Sequence, residues 1–207
     1  EIRSMATALP APPSPQLQAL AARAAVRADA MGLLPDRKLS ALHPLDAADT
    51  LTRVLDVARG AGIGRALAMP RDPADEERWE GFVLDLLDAL EESPLPRTEW
   101  GGLERVLGAD MLADLVGVSP SSLRRYAAGT RDTPDDIAAR LHFLALVVGD
   151  LSGSYNDFGV RRWFARRRSQ LGGQAPADLL RGGWDPQEEG PEKVRRLAAA
   201  LLGAPAT

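Results

Sequence analysis

The sequence contains no cysteine, which excludes disulfides, thiol nucleophiles and cysteine-ligated zinc sites. It has only two histidines, His43 and His142, which lie far apart in helical surroundings. Neither has a partner at the spacing of metal ligands, so we interpret both as ordinary core or surface residues. The sequence therefore predicts no metal site.

Long apolar runs are also absent. No stretch approaches the ~20 apolar residues that a membrane-crossing helix needs, and the N-terminus lacks a signal-peptide pattern. We therefore expect a cytoplasmic protein with no membrane partner. Residues 1–15 are rich in proline and alanine, and we interpret them as a tag remnant and a flexible N-terminus.

Alternating strand patterns are missing as well, whereas apolar residues recur at helical spacing along most of the chain. The fold class we predict is all-α. Pro94 and Pro96 interrupt the helical pattern, and we place a domain boundary there. A helical N-terminal region of open role (16–92) then precedes a helix-turn-helix domain (97–153) and a small helical C-terminal domain (154–207).

The N-terminal region shows three helical segments. They are predicted from Gln16 to about Met31, from Leu45 to Arg59 and over Ala74–Glu92. The glycines of Gly60–Gly64 follow no strand, so they indicate a helix end and a turn, not a nucleotide-binding loop. We expect the third segment to offer exposed apolar residues as a dimer surface.

Charge is distributed unevenly. The chain has a net charge of −4, yet residues 1–100 carry −5 and residues 101–207 carry +1. Ser119–Arg131 contains three arginines and no acid, and Val160–Arg168 contains five arginines and no acid. Because local patches set the field at a phosphate backbone, these two stretches are candidate anion-binding surfaces.

Met111–Arg131 has the pattern of a helix-turn-helix. Leu112 and Val116 form an i,i+4 apolar pair on the first helix, and Gly117 suits a tight turn. Ser119 is a predicted cap of the second helix, with a proline next in sequence.

The second helix of this motif presents hydroxyls and guanidiniums on its outer face, which suits a DNA major groove. An ordinary helical hairpin with a solvated face is the alternative interpretation. The predicted DNA-binding residues are Ser119, Ser121, Ser122, Arg124, Arg125 and Arg131.

Two further helices flank the motif. Thr98 is predicted to cap the segment before it, and Thr133 is predicted to cap a helix that runs to about Asp150. The latter is apolar nearly all round, which indicates a buried central helix.

The C-terminal region begins with an arginine-rich helix, Phe158–Arg168, predicted to end at Gly172-Gly173 and to be followed by a helix that starts at Pro176. Its five arginines leave three interpretations open. They form a solvated helix face, contact a phosphate backbone, or dock an acidic partner surface.

The order of elements in this half resembles a known family. Trp163, the Leu-Gly-Gly of Leu171–Gly173, the segment Ala175–Leu180 and a terminal helix after Gly190 are similar to the toxin-binding domain of Xre/MbcA/ParS-like antitoxins. In that family an Xre-type helix-turn-helix precedes this domain, and the resemblance covers residues 97–202. Arg168 and the two residues after it replace the usual asparagine-led approach to the glycines.

The resemblance implies an antitoxin that inhibits a RES-domain toxin, an NAD-consuming enzyme, and represses its own operon by binding operator DNA. In this family the terminal helix and tail would reach the toxin's pocket. Because a single helix-turn-helix reads too few base pairs for a useful specific affinity, we also predict a homodimer or a larger hetero-oligomer with the toxin. The toxin-binding residues that the resemblance implies are Trp163, Leu171, Gly172, Gly173, Pro176, Leu179, Leu180, Lys193, Arg195, Arg196 and Leu197.

Enzymatic function has little support in the sequence. The acidic pairs Glu76-Glu77 and Glu188-Glu189 lack a basic or metal partner, and no nucleophile–base arrangement is visible. We predict no catalytic residue and no cofactor. The alternative to an antitoxin is a stand-alone helix-turn-helix transcriptional regulator, with residues 16–92 as a dimerisation or sensing module.

Overall fold

The computed structural model describes residues 13–34, 47–72 and 74–203. Over these residues, all regular secondary structure is helical and no strand occurs, which confirms the predicted all-α class. Our interpretations of residues 1–12, of His43 and of a helix start at Leu45 lie outside the described residues. The helices are α1 Pro15–Ala30, α2 Ala47–Gly60, α3 Glu76–Glu91, α4 Pro96–Leu107, α5 Ala109–Val116, α6 Pro120–Ala127, α7 Asp135–Ser152, α8 Asp157–Ala165, α9 Pro176–Leu179 and α10 Glu189–Ala199.

Helix α7 is the centre of the fold. Every residue from Arg140 to Leu151 is buried, so the prediction of a buried central helix is confirmed. Its start was predicted wrongly, because Thr133 does not cap it. The Thr133 hydroxyl instead accepts a 3.0 Å hydrogen bond from the indole of Trp100, and the helix begins after Pro134.

Helix α1 packs directly on α7. The Ser14 hydroxyl accepts a hydrogen bond from the amide of Leu17, and Pro15 occupies the first turn, which explains where α1 begins. Gly149 of α7 allows the close approach, since a Cβ there would lie 3.1 Å from the Cα of Arg27.

Helix α4 crosses the end of α1. Our prediction that Thr98 caps a helix is wrong, since Pro96 already occupies the first turn of α4. The Thr98 hydroxyl donates a 2.8 Å hydrogen bond to the carbonyl of Met31 instead. Gly32 and Gly102 meet at this crossing, where a Cβ on either residue would overlap the other segment's backbone.

Buried apolar side chains form one cluster that extends from α1 to α10. An ion pair of 2.7 Å between Arg105 of α4 and Asp29 of α1 also joins the predicted N-terminal region to the helix-turn-helix. The three predicted regions therefore share a hydrophobic core, and their limits stay predictions.

Candidate functional site

Gly117 makes the turn between α5 and α6. Its backbone is left-handed, with φ of +80°, and its amide donates a 2.9 Å hydrogen bond to the carbonyl of Ala113. A Cβ at this position would also collide with the carbonyl oxygen of Gly182. Glycine is required here both by the backbone and by the neighbouring chain, and the predicted turn is confirmed.

The N-terminus of α6 concentrates hydroxyl groups. The Ser119 hydroxyl accepts a 3.1 Å hydrogen bond from the amide of Ser122, which confirms Ser119 as the helix cap. The same hydroxyl lies 2.9 Å from that of Ser121 and 3.0 Å from that of Ser122. Three predicted DNA-binding residues are thus brought together at one helix end.

Arg124 and Arg125 are both exposed on α6. Within the part of the chain that the structure describes, neither forms an ion pair. Among the described residues, the one hydrogen bond of the Arg125 side chain runs from its Nε to the carbonyl of Ser121, at 3.3 Å. Most of their N–H groups therefore remain available to phosphate oxygens or base edges.

The inner face of α6 is held by aromatic contacts. Tyr126 is buried and stacks on Trp100 of α4, with ring centres 5.7 Å apart and planes 17° from parallel. Arg131 is exposed, with its guanidinium 5.4 Å from the centre of the Tyr126 ring. This anchoring fixes the outer face of α6 relative to the core.

A short strap, which we define as Gly182–Trp184, closes over the turn of the helix-turn-helix. The indole of Trp184 donates a 2.8 Å hydrogen bond to the carbonyl of Leu115. Arg140 donates 2.7 Å and 3.1 Å hydrogen bonds to the carbonyls of Trp184 and Val116. The last carbonyls of α5, which have no partner within the helix, are therefore satisfied by the strap and by α7.

Sequence reasoning missed this arrangement. From the sequence we assigned no role to Trp184, and we treated Arg140 only as one residue of an apolar helix. An arginine inside a buried helix needs several acceptors, and a buried indole N–H needs one. That requirement was a usable signal, but it did not identify the partners.

Most of the C-terminal motif residues are buried. Trp163, Leu171, Pro176 and Leu180 lie in the interior, and Leu179 is half-buried. The guanidinium of Arg168 covers the Trp163 ring, 4.9 Å from its centre. The buried ones form the core of this region, so their side chains are not available for direct contact with a partner.

The glycine pair is exposed, but our prediction that α8 ends at it is wrong. Helix α8 ends at Ala165, and a single 3₁₀ turn over Ser169–Leu171 comes before Gly172. Arg166 has an extended backbone, which stops the helix. Gly172 and Gly173 both have positive φ, of 64° and 82°.

The predicted tail helix α10 has a core face and an open face. Val194 and Ala198 are buried, and Leu197 is half-buried. Lys193 pairs with Glu189 at 2.6 Å, and this contact lowers the pKa of the Glu189 carboxyl. Lys193 and Arg196 are exposed and remain accessible to a partner.

Arg195 points to the core instead. It pairs with Asp150 of α7 and, at 3.4 Å, with Glu91 of α3. Arg27 of α1 pairs with the same two acids, at 3.1 Å and 3.0 Å. This network, which the sequence did not reveal, joins α1, α3, α7 and α10, and it employs a residue that we had assigned to toxin binding.

A second buried polar contact joins α7 to α4 and α3. Nδ1 of His142 lies 2.6 Å from a carboxylate oxygen of Glu99, and Nε2 lies 2.8 Å from the carbonyl of Glu91. Burial alone lowers the pKa of His142, but the hydrogen bond and charge of Glu99 outweigh it, so the pKa is raised above its ordinary value. His142 is thus a satisfied core residue, as predicted.

The arginines of the α8 region divide into two groups. Arg161 donates a 2.6 Å hydrogen bond to the carbonyl of Val106, and Arg168 covers Trp163. Arg162, Arg166 and Arg167 are exposed, and in the described part of the chain none of them pairs with an acid. Only these three are available to an anionic partner.

Among residues 13–34, 47–72 and 74–203, no group of three His, Asp or Glu side chains is arranged to hold a metal ion. No single helix in those ranges is long and apolar enough to cross a membrane; the one combination that satisfies the length and composition test, α7 with α8, is bent by 117°. No family model, no curated protein and no solved structure matches this chain.

Proposed function

We propose that this chain is a DNA-binding antitoxin that represses its own operon and inhibits a RES-type NAD-degrading toxin in the cytoplasm. The observation that carries the proposal is the outer face of α6. It presents the hydroxyls of Ser119, Ser121 and Ser122 next to two exposed arginines, on a helix whose inner face is fixed to α4.

DNA recognition fits this face physically. Arginine side chains make bidentate hydrogen bonds to guanine edges, and serine hydroxyls bond to phosphates or bases. The Ser119 cap and the Gly117 turn already fix the backbone that carries these side chains. The α6 face is therefore preorganised, and little of its backbone has to become ordered when DNA binds.

Toxin inhibition rests on the resemblance of the C-terminal half to the antitoxin domain. The exposed groups there that offer polar contacts are Lys193 and Arg196 of α10, next to the half-buried Leu197. Cationic side chains suit the acidic and nucleotide-binding groups of an NAD-consuming enzyme.

The second candidate is a stand-alone transcriptional regulator. It is favoured by the position of α10, whose Arg195, Val194 and Ala198 all face the chain's own core. A helix held in this way does not easily leave the core to enter a toxin's pocket. This favours a regulator that acts through DNA binding alone.

One experiment tests both. The chain is co-expressed with the toxin gene adjacent to its own, cellular NAD is measured, and binding to its upstream DNA is followed by anisotropy. Arg124→Ala/Arg125→Ala should cost on the order of 1–3 kcal/mol of DNA binding per base contact and leave NAD protected. Lys193→Glu/Arg196→Glu should leave DNA binding unchanged and abolish the protection of NAD. Both residues are exposed, so this variant avoids the damage to the core that deletion of α10 would cause.

Arg53→Ala, an exposed cation on α2, is the matched control and should change neither readout. Unchanged DNA binding in the Arg124/Arg125 variant refutes the DNA-binding face. DNA binding without any effect of the chain on NAD favours the stand-alone regulator.

A further inference from the structure

Helix α8 exposes an aromatic residue near its start, ahead of several exposed cations. Phe158 is 65% exposed, the largest value among the large apolar residues that the structure describes. Arg162 and Ala165 follow it at helical spacing, Arg166 comes directly after the helix, and all three are exposed. We define these four residues as the basic stripe.

Helix α3 carries a stripe of the opposite charge. Leu84 is 47% exposed, and Glu77, Gly81, Asp88 and Glu92 are exposed at helical spacing around it. We define these five residues as the acidic stripe. The basic stripe therefore has one large exposed apolar side chain followed by cations, and the acidic stripe has one that lies between acids.

The acids of α3 differ in what they contact. Glu76 accepts a hydrogen bond from the amide of Ser14, Glu80 accepts one from Gln16, and Glu91 pairs with Arg27 and Arg195. Within the described ranges, the acids of the acidic stripe pair with no cation. The acids of α3 that have contacts within the chain are thus different residues from the acids of the acidic stripe.

Gly81 is the second observation that points to a partner. It lies inside α3, where glycine costs about 1 kcal/mol relative to alanine. A Cβ at Gly81 would have no neighbour within 4 Å, so packing within the chain does not require a glycine. The position leaves open space on the surface of α3, one turn before Leu84.

We propose that the basic stripe of one copy docks on the acidic stripe of a second copy of this chain, with Phe158 packed at Gly81 and Leu84. The charges of the two stripes are opposite in sign, and each stripe has one large exposed apolar side chain. Because exposed ion pairs contribute little by themselves, the apolar contact supplies affinity and the charges select the partner face.

This pairing joins two different surfaces. It gives a closed dimer when both pairs of stripes meet at once and a larger ring or chain otherwise. The inference depends on neither DNA nor toxin binding, although a helix-turn-helix protein reads a two-fold operator only as a pair.

The test is a charge exchange, read by light scattering at tens of micromolar chain and low salt. The wild-type chain should exceed the 22.1 kDa of the monomer, and its mass should fall as salt rises. Arg162→Glu/Arg166→Glu and, separately, Glu77→Lys/Asp88→Lys should each weaken association roughly 10- to 100-fold. The chain that carries all four changes should associate again.

Circular dichroism shows that each variant is folded, and Arg53→Glu on α2 is the matched control that should associate normally. Gly81→Leu should block association while keeping α3 helical. A monomeric wild type, association of both reversed variants, or failure of the fourfold exchange to restore association in folded protein each overturns the proposal. Loss of association in the arginine variant alone shows that the arginines contact a surface other than the acidic stripe, and this also overturns the proposal.

Discussion

The buried and the exposed arginines of this chain behave as two different residue types. Arg27 and Arg140 lie in the interior and have several acceptors each, from carboxylates and from main-chain carbonyls. Arg124, Arg125 and Arg162 are exposed, and no acid pairs with them in the described residues. Burial forces a guanidinium to find partners within the chain, so only the exposed group remains for recognition.

The comparison also explains why net charge was a poor guide to function. The four charges of Arg27, Arg195, Asp150 and Glu91 balance one another around the core. They cancel in the net charge and contribute little to the field at a distance. The exposed stretches of one sign decide which partners approach.

The largest expected effect tests the buried group. Asp150→Ala leaves Arg27 buried without its main partner and should destabilise the fold by about 3–5 kcal/mol. Urea unfolding measures this change. Asp88→Ala, the exposed counterpart on α3, should cost less than about 0.5 kcal/mol. If the two variants lost similar amounts of unfolding free energy, burial would not be what distinguishes the paired charges from the exposed ones.

A smaller effect on the free energy of unfolding is expected from the titration of His142, which is buried against Glu99. Its pKa is raised in the folded chain, so its stabilisation is complete below the unfolded value of about 6.5 and is lost as pH rises through the folded value. Each unit of raised pKa corresponds to about 1.4 kcal/mol.

The measurement is the free energy of unfolding in urea between pH 5.5 and 9. The wild-type chain should lose stability across the upper part of this range, and His142→Gln should lack that component. Parallel curves for the two chains would contradict the assignment of a charged His142–Glu99 pair.

The smallest effect is expected for the exposed group. Arg124→Ala/Arg125→Ala should change the free energy of unfolding by no more than about 0.5 kcal/mol, because neither side chain forms an ion pair within the described chain. Thermal unfolding by circular dichroism measures it. A loss of several degrees would mean that these arginines stabilise α6 and are not free for DNA.

Periodicity alone predicted the helices well. The inward residues of α3 and the buried character of α7 follow from apolar spacing, and Gly117 and Ser119 follow from backbone and capping rules. Each of these features depends on residues that are close in the sequence.

Contacts between distant residues were not predictable in this way. Arg140 with Trp184, His142 with Glu99, and Arg195 with Asp150 are each set by how helices cross. Thr98 and Thr133 show the same limit, because their hydroxyls serve partners in other segments and not the helix ends next to them. Local rules identify candidates for a role, and the fold decides among them.

The strap has a consequence for anyone who divides this gene. A fragment that ends at Gly153 would lack Trp184, so the carbonyl of Leu115 would lose its partner and the turn at Gly117 would lose its cover. A fragment that begins at Ser154 would lack Arg140 and Asp150, and its terminal helix would lose the anchor of Arg195. A fragment that begins at Pro96 would in turn lack Asp29 and Arg27, the partners of Arg105 and Asp150. The turn at Gly117 therefore keeps its native surroundings only in a piece that reaches from α1 to beyond Trp184.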